Sequence, residues 1–205
     1  NLKTLAPSAR LVDLEFEMLR NVNEAHAAAR AGDPNLRARI KSFHTAQGMM
    51  RVAPEIFDLA GESQSTLDQY GVTTDDSSSF GWQCLMTRRL IERGVRTVEI
   101  IDTGAGDNWD SHSNMQDHRP KALRVDQSIT GLIRDLKQRG LLDETLIAIC
   151  TEFGRTPWDS GPGRNHWHRA FSSLLAGAGI QGGTTYGTTD EIGMLPAEDP
   201  AHVHD

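Results

Sequence analysis

The sequence predicts an α/β protein built on a parallel sheet and preceded by an all-helical segment, and two observations carry that expectation. Up to Gly94 the apolar residues recur at helical spacing; beyond it, short β-branched or apolar runs alternate with one helical period. Polar clusters then fall directly after those runs, where open α/β sheets place their ligands. The expected division is a helical segment at residues 1–94 and an α/β half at residues 95–205.

Leu11, Leu14, Met18 and Val22 give the first helical period, ended by Gly32-Asp33-Pro34. A second runs through Leu36, Ile40, Phe43 and Met50 to Pro54. A short segment from Ser63 stops at Gly71, and Asp75 or Asp76 is the expected cap of a helix carrying Phe80, Cys84, Leu85 and Ile91, closed by Gly94. Residues 95–102 (VRTVEIID) read as a strand, followed by a polar loop. Pro120 opens a helix with Leu123, Ile129, Ile133 and Leu136, which Gly140 ends. Residues 145–151 (TLIAICT) form a near-continuous apolar run, as expected of a strand buried on both faces. Strand, crossover helix and strand predict a βαβ unit. Residues 170–176 are the third apolar run, favoured as a strand.

The 205 residues suffice for one sizeable domain or a domain with an appendage, and a 38% hydrophobic, 24% charged composition is that of a folded globular chain. A formal net charge of −7, with no basic stretch interleaved with aromatics, argues against a nucleic-acid partner and favours small ligands or cations. No apolar run approaches the roughly 20 residues that span a bilayer. Asn1 in place of Met, and the polar end Ala201-His202-Val203-His204-Asp205, lead us to expect a processed product or fragment. Cys84 and Cys150 lie outside any C-x-x-C spacing, so a disulfide framework is not expected.

Three polar clusters carry the candidate chemistry. Asp107-Asn108-Trp109-Asp110-Ser111-His112 follows the first strand-like run, and the i, i+2 spacing of Asp110 and His112 suits a chelate. Glu152 leaves the second run ahead of Phe153, Gly154 and Arg155, and a carboxylate there needs a cation or donors. Asn165-His166-Trp167-His168 precedes the third. Imidazole with carboxylate suits Zn²⁺, Mn²⁺ or Fe²⁺ rather than Ca²⁺. The competing interpretation is surface residues that satisfy turns; the concentration of six of the eight histidines after residue 111 favours a metal. Arg155 and Arg164 could each meet an anion or pair with the surplus carboxylates. Trp109, Trp158 and Trp167 could line a pocket or simply pack. His26 and His44 read as exposed or core-edge histidines, and His118 as a turn residue before Pro120. Gly104-Ala105-Gly106 lacks the third glycine of a dinucleotide loop, and there is no P-loop and no G-x-S-x-G elbow.

Taken together, Trp109 to Asn114, DLKQRGLLDETLIAICTEFGRTP from Asp135, Asn165-His166-Trp167, LLAGAGIQGGTTYGTTDEIG from Leu174, the terminal HVHD and the stretch from Gln83 to Arg96 closely resemble the DUF1501 family. These are secreted bacterial proteins often labelled sulfatase-like, similar to the alkaline phosphatase and sulfatase superfamily. The resemblance implies an alkaline-phosphatase-like core, a periplasmic or secreted setting, and a larger protein whose earlier part bears the nucleophile. It also implies that Asp110, His112, Glu152 and His166 are ligands of one or two divalent ions, Zn or Mn. His168 would be a further ligand or acid/base, and Arg155 would hold an anionic ester substrate. The pattern departs in places: one residue separates Asp110 from His112 where the superfamily commonly has three, and Glu152-Phe153-Gly154 stands where it usually has Asp-His-Gly. The formylglycine signature of sulfatases is absent. The expected function is therefore metal-dependent hydrolysis of phosphate or sulfate esters, with an inactive extracellular binding or assembly module as the alternative.

Overall fold

A computed structural model describes residues 8–102, 108–158 and 161–202; Gly104-Ala105-Gly106, Asp107 and the terminal Val203-His204-Asp205 lie outside the described residues. The chain falls into two compact units, residues 1–61 and 62–205. In the first, helix α1 (Ala9–Ala28) starts at Ser8, whose hydroxyl accepts from the Leu11 N–H. Helix α2 (Pro34–Phe57) starts at Asp33, whose carboxylate accepts from Asn35 and Leu36 while Pro34 fills the first helical position, where no N–H is needed. Pro54 does not stop this helix, which runs one further turn to Phe57. Arg51 and Asp13 pair between α1 and α2. The predicted apolar stripe of α1 is present, but Leu11, Leu14, Met18 and Val22 are exposed.

The second unit has a helical core. Helices α3 (Gln64–Tyr70) and α4 (Phe80–Glu92) are capped by Ser63 and Ser79, whose hydroxyls accept from Thr66 and Trp82. Ser79 thus takes the capping role expected of Asp75 or Asp76, and Asp76 instead accepts from the Ser78 and Ser79 N–H groups of the preceding turn. With helix α5 (His118–Gln138), they bury Leu67, Tyr70, Cys84, Leu85, Leu132 and Leu136. Glycine sets how closely they approach: a Cβ on Gly81 would lie 2.5 Å from the Tyr70 carbonyl oxygen, and one on Gly131 2.6 Å from that of Gln69.

A charged network crosses this core. Arg88 on α4, its side chain 3% exposed, meets Glu62 at 2.7 Å, Glu92 at 2.7 Å and Asp135 of α5 at 3.0 Å. Tyr70 donates to the same Asp135 at 3.0 Å, and Arg139 reaches both Asp135 and Glu92 at 2.6 Å. Burial opposes ionisation of Glu62, but hydrogen bonds and charge from Arg88 and Arg89 outweigh it and hold that carboxyl below its ordinary range. Burial, reinforced by Asp135, pushes the Tyr70 hydroxyl up. It also drives the Cys84 thiol up to about 12, leaving it a packing residue.

The strands correct the expected sheet. Strand β1 (Leu146–Ile149) pairs antiparallel with β4 (Leu174–Gly177), Leu146 opposite Gly177 and Ile149 opposite Leu174. Strands β2 (Gly154–Arg155) and β3 (His166–Trp167), and β5 (Thr188–Thr189) and β6 (Pro196–Glu198), make two further antiparallel pairs. Among the described residues there is no parallel pairing, and residues 95–102 join no strand, so the βαβ unit is not formed. Hydropathy locates a strand but not its partner or direction, and that is where the expectation failed. Nor is β1 buried on both faces: Leu146 is exposed and Ile147 half-buried, the alternation of a strand with one face to solvent.

Removing one partner from a buried ion network strands the others. Arg88→Met should therefore lower the unfolding free energy by roughly 3–5 kcal/mol, as measured by urea denaturation. A loss below about 1 kcal/mol, the range of exposed pairs, would show the network to be a surface feature in solution.

Candidate functional site

The site is assembled from a hairpin and a loop distant in sequence. In the hairpin, the β2–β3 register sets Arg155 directly opposite His166, so the two side chains share a face. Thr156 extends the pairing: its N–H donates to the Asn165 carbonyl at 2.9 Å and its hydroxyl accepts from the Asn165 N–H at 3.2 Å. Residues 110–117 form the loop. Ser111 is buried with its hydroxyl hydrogen-bonded to the Asn114 carbonyl, and Asn114 caps the 3-10 turn Met115–Asp117 that leads into α5. His118, expected as a turn residue before Pro120, is instead the first residue of α5, and its Nε2 lies 2.8 Å from the Trp109 carbonyl.

Two contacts dock the loop on the hairpin's approach. The Met115 N–H donates to the Pro162 carbonyl at 3.2 Å. Gly163 lies so close to the backbone of His112 that a Cβ there would sit 2.0 Å from the His112 carbonyl carbon and oxygen. A side chain at 163 and this placement of His112 exclude one another.

The result is a convergence of ligand atoms. Asp110 Oδ1 lies 2.9 Å from His112 Nε2 and 2.9 Å from His166 Nε2, and the two imidazole nitrogens are 3.1 Å apart. Neighbouring ligand atoms around an ion bound at about 2.1 Å are separated by about 3.0 Å in octahedral and about 3.4 Å in tetrahedral geometry, so these three need little movement to share one ion. His112 is oriented from behind through Nδ1, 3.3 Å from Asn165 Oδ1, the kind of outer contact that fixes a ligating imidazole. The Phe153 ring packs on that of His166 with centroids 4.4 Å apart.

Arg155 supplies the positive charge. Its Nη1 lies 2.5 Å from Asp110 Oδ1 and its Nη2 3.8 Å from Glu152 Oε1, with the guanidinium 5.7 Å from the Phe153 ring centroid. The hydrogen bonds from His166 and then Arg155, together with the charge of Arg155, hold the Asp110 carboxyl down at about 2 against a small desolvation cost. Asp110, His112 and His166 have side chains 44–49% exposed, so the group is open to solvent.

Of the residues picked from the sequence, Asp110, His112, His166 and Arg155 come together. Glu152 does not join the ligand atoms; it is a largely exposed counter-charge to Arg155. His168 is exposed beside Trp167, ring centroids 6.3 Å apart, and is likewise outside the group. Arg164 donates to the Thr156 carbonyl at 2.9 Å, a structural use. Trp158 and Trp167 pack edge to face at 5.2 Å, and Trp167 donates to the Met194 carbonyl. Sequence reasoning passed over Gly163, which Gly161-Pro162-Gly163 offers only as a turn, and Asp102. That carboxylate accepts from Trp109 Nε1 at 2.7 Å and from Arg124 at 2.8 and 3.0 Å, fixing the strand-like run's end to the loop.

A family model described as a protein of unknown function (DUF1501) matches residues 7–205. No curated protein and no solved structure matches the chain.

Gly163→Ala should displace His112 and dismantle the cluster while leaving the distant helical core intact. The readout is loss of the His112–His166 proximity in imidazole NMR spectra with unchanged helical circular dichroism; an unaltered imidazole pair would refute the packing argument. In the metal-free chain, Asp110 should titrate near 2 by carboxyl NMR. Because its folded value is depressed below about 3.9, its stabilising contribution is complete above that pH and is lost as the pH falls towards 2. Arg155→Gln should move the titration upward.

Proposed function

The chain belongs to the DUF1501 family, and from that membership and its cluster we propose that it is a metal-dependent hydrolase domain acting on phosphate or sulfate esters. The observation that carries this reading is the meeting of Asp110, His112 and His166 within ligand distance of one another beside a guanidinium. Two imidazoles and a carboxylate suit a divalent transition ion, Zn²⁺ or Mn²⁺. Such an ion would supply Lewis-acid polarisation of an ester oxygen and a lowered pKa for the attacking group.

The chain's own residues account for the remainder. Asp110 contributes the negative charge that draws a cation, and His112 and His166 offer Nε2 lone pairs once the proton that Nε2 shares with Asp110 is lost or carried on Nδ1 instead. Metal uptake therefore competes with protons and weakens on acidification. Arg155 presents a fork matched to two oxygens of a tetrahedral anion, beside the ligand atoms. The Phe153 ring packs against His166 and helps fix its orientation. An alkaline-phosphatase-like relationship, and with it a secreted setting, agrees with the proposed chemistry and belongs to the same proposal.

Purified without chelators, the chain should take up about one Zn²⁺ or Mn²⁺, and Asp110→Asn, His112→Ala and His166→Ala should each weaken uptake by about tenfold or more. Elemental analysis finding no ion would overturn the metal reading. If metal binds but the loaded chain turns over neither aryl phosphates nor aryl sulfates, the hydrolase reading falls and a binding or assembly module takes its place.

A further inference from the structure

We propose that Arg155 is an exchangeable occupant of the metal site: it holds Asp110 while the site is free of metal and transfers to a tetrahedral oxyanion when a divalent cation binds, so that cation and anion bind with positive linkage. This deepens the metal reading above and rests on it. The geometry that points to it is the sharing of a single oxygen, Asp110 Oδ1, by His112, His166 and Arg155. That oxygen is the atom an ion would take together with the two imidazole nitrogens.

A divalent cation at that point would face the guanidinium across one carboxylate oxygen, and two like-signed charges so close repel strongly. The single negative charge of Asp110 cannot neutralise both. Glu152, its carboxylate 3.8 Å from Nη2, offers the displaced guanidinium only an exposed, weak alternative. An oxyanion bridging cation and guanidinium removes the repulsion and uses the fork of Arg155, whose side chain is only 21% exposed and backed by the Phe153 ring. Reciprocity follows: whatever factor the anion adds to cation affinity, the cation adds to anion affinity.

The test is Mn²⁺ binding to the full chain, by calorimetry and by electron paramagnetic resonance, with and without sulfate at constant ionic strength. Wild type should bind Mn²⁺ about 5- to 150-fold more tightly in saturating sulfate, the usual span of such coupling. Arg155→Gln should bind Mn²⁺ more tightly than wild type without sulfate and show no sulfate effect. Weaker Mn²⁺ binding by Arg155→Gln without sulfate would overturn the proposal, since Arg155 would then be orienting Asp110 for the ion. An equal sulfate effect in both chains would overturn it too, as would Mn²⁺ uptake by wild type that ignores sulfate. Absence of Mn²⁺ uptake by wild type would instead refute the underlying metal site, and the linkage with it.

Discussion

One guanidinium, nearly excluded from water and facing Glu62, Glu92 and Asp135, is the constraint on which the second unit turns. A buried charge is tolerated only where its partners are fixed, so Arg88 demands a particular arrangement of α4, α5 and Glu62, two residues before α3. Apolar packing around Leu85 and Leu136 would accept several rotations of α4 against α5. The ion network accepts few, because each of its carboxylates comes from a different place along the chain and Asp135 also serves Tyr70 and Arg139.

That rigidity reaches the site through α5. Its N-terminal end continues into the loop that carries Asp110 and His112, and its second turn presents Arg124 to the carboxylate of Asp102. Asp102 in turn accepts from the Trp109 indole, next to Asp110. The loop is thus tied from the helical side by Asp102 and His118 and from the hairpin side by Pro162 and Gly163. The hairpin brings Arg155 and His166 face to face by backbone pairing alone. Ligand atoms converge because two independently held segments meet.

The sequence disclosed the helices almost to their ends, since each had an amphipathic period and a punctuating Ser, Asp, Gly or Pro. It missed Ser79 as the cap of α4 because Asp75 and Asp76 offered the same chemistry three or four residues earlier. It located β1 and β4 within their apolar runs, yet their antiparallel pairing was illegible: short apolar runs of like composition say nothing of direction. Residues 95–102 show the same limit, β-branched in composition and still without a strand partner among the described residues. In the site, i, i+2 spacing in clusters beside the apolar runs found Asp110, His112 and His166. The same reasoning overreached at Glu152, where leaving a strand-like run does not specify which way a carboxylate turns, and at His168, because β3 ends at Trp167 and the alternation that would align it with His166 is not continued. Gly163 was invisible because its importance lies in what its missing side chain leaves room for.

The chemistry of the proposed ion depends on how many positions the protein leaves open. Structural zinc sites are closed by four protein ligands, whereas catalytic ones keep a position for water or substrate. Here the group holds three candidate ligand residues, about half exposed, with the neighbouring side occupied by a guanidinium rather than a fourth candidate. A structural role would gain nothing from a positive charge beside a cation and would be better served by Glu152 turned inward. The same charge suits a centre that receives an anion. The placement of Arg155, more than the candidate ligands themselves, is therefore what supports the proposed ester-binding centre over an ion that merely fastens loops.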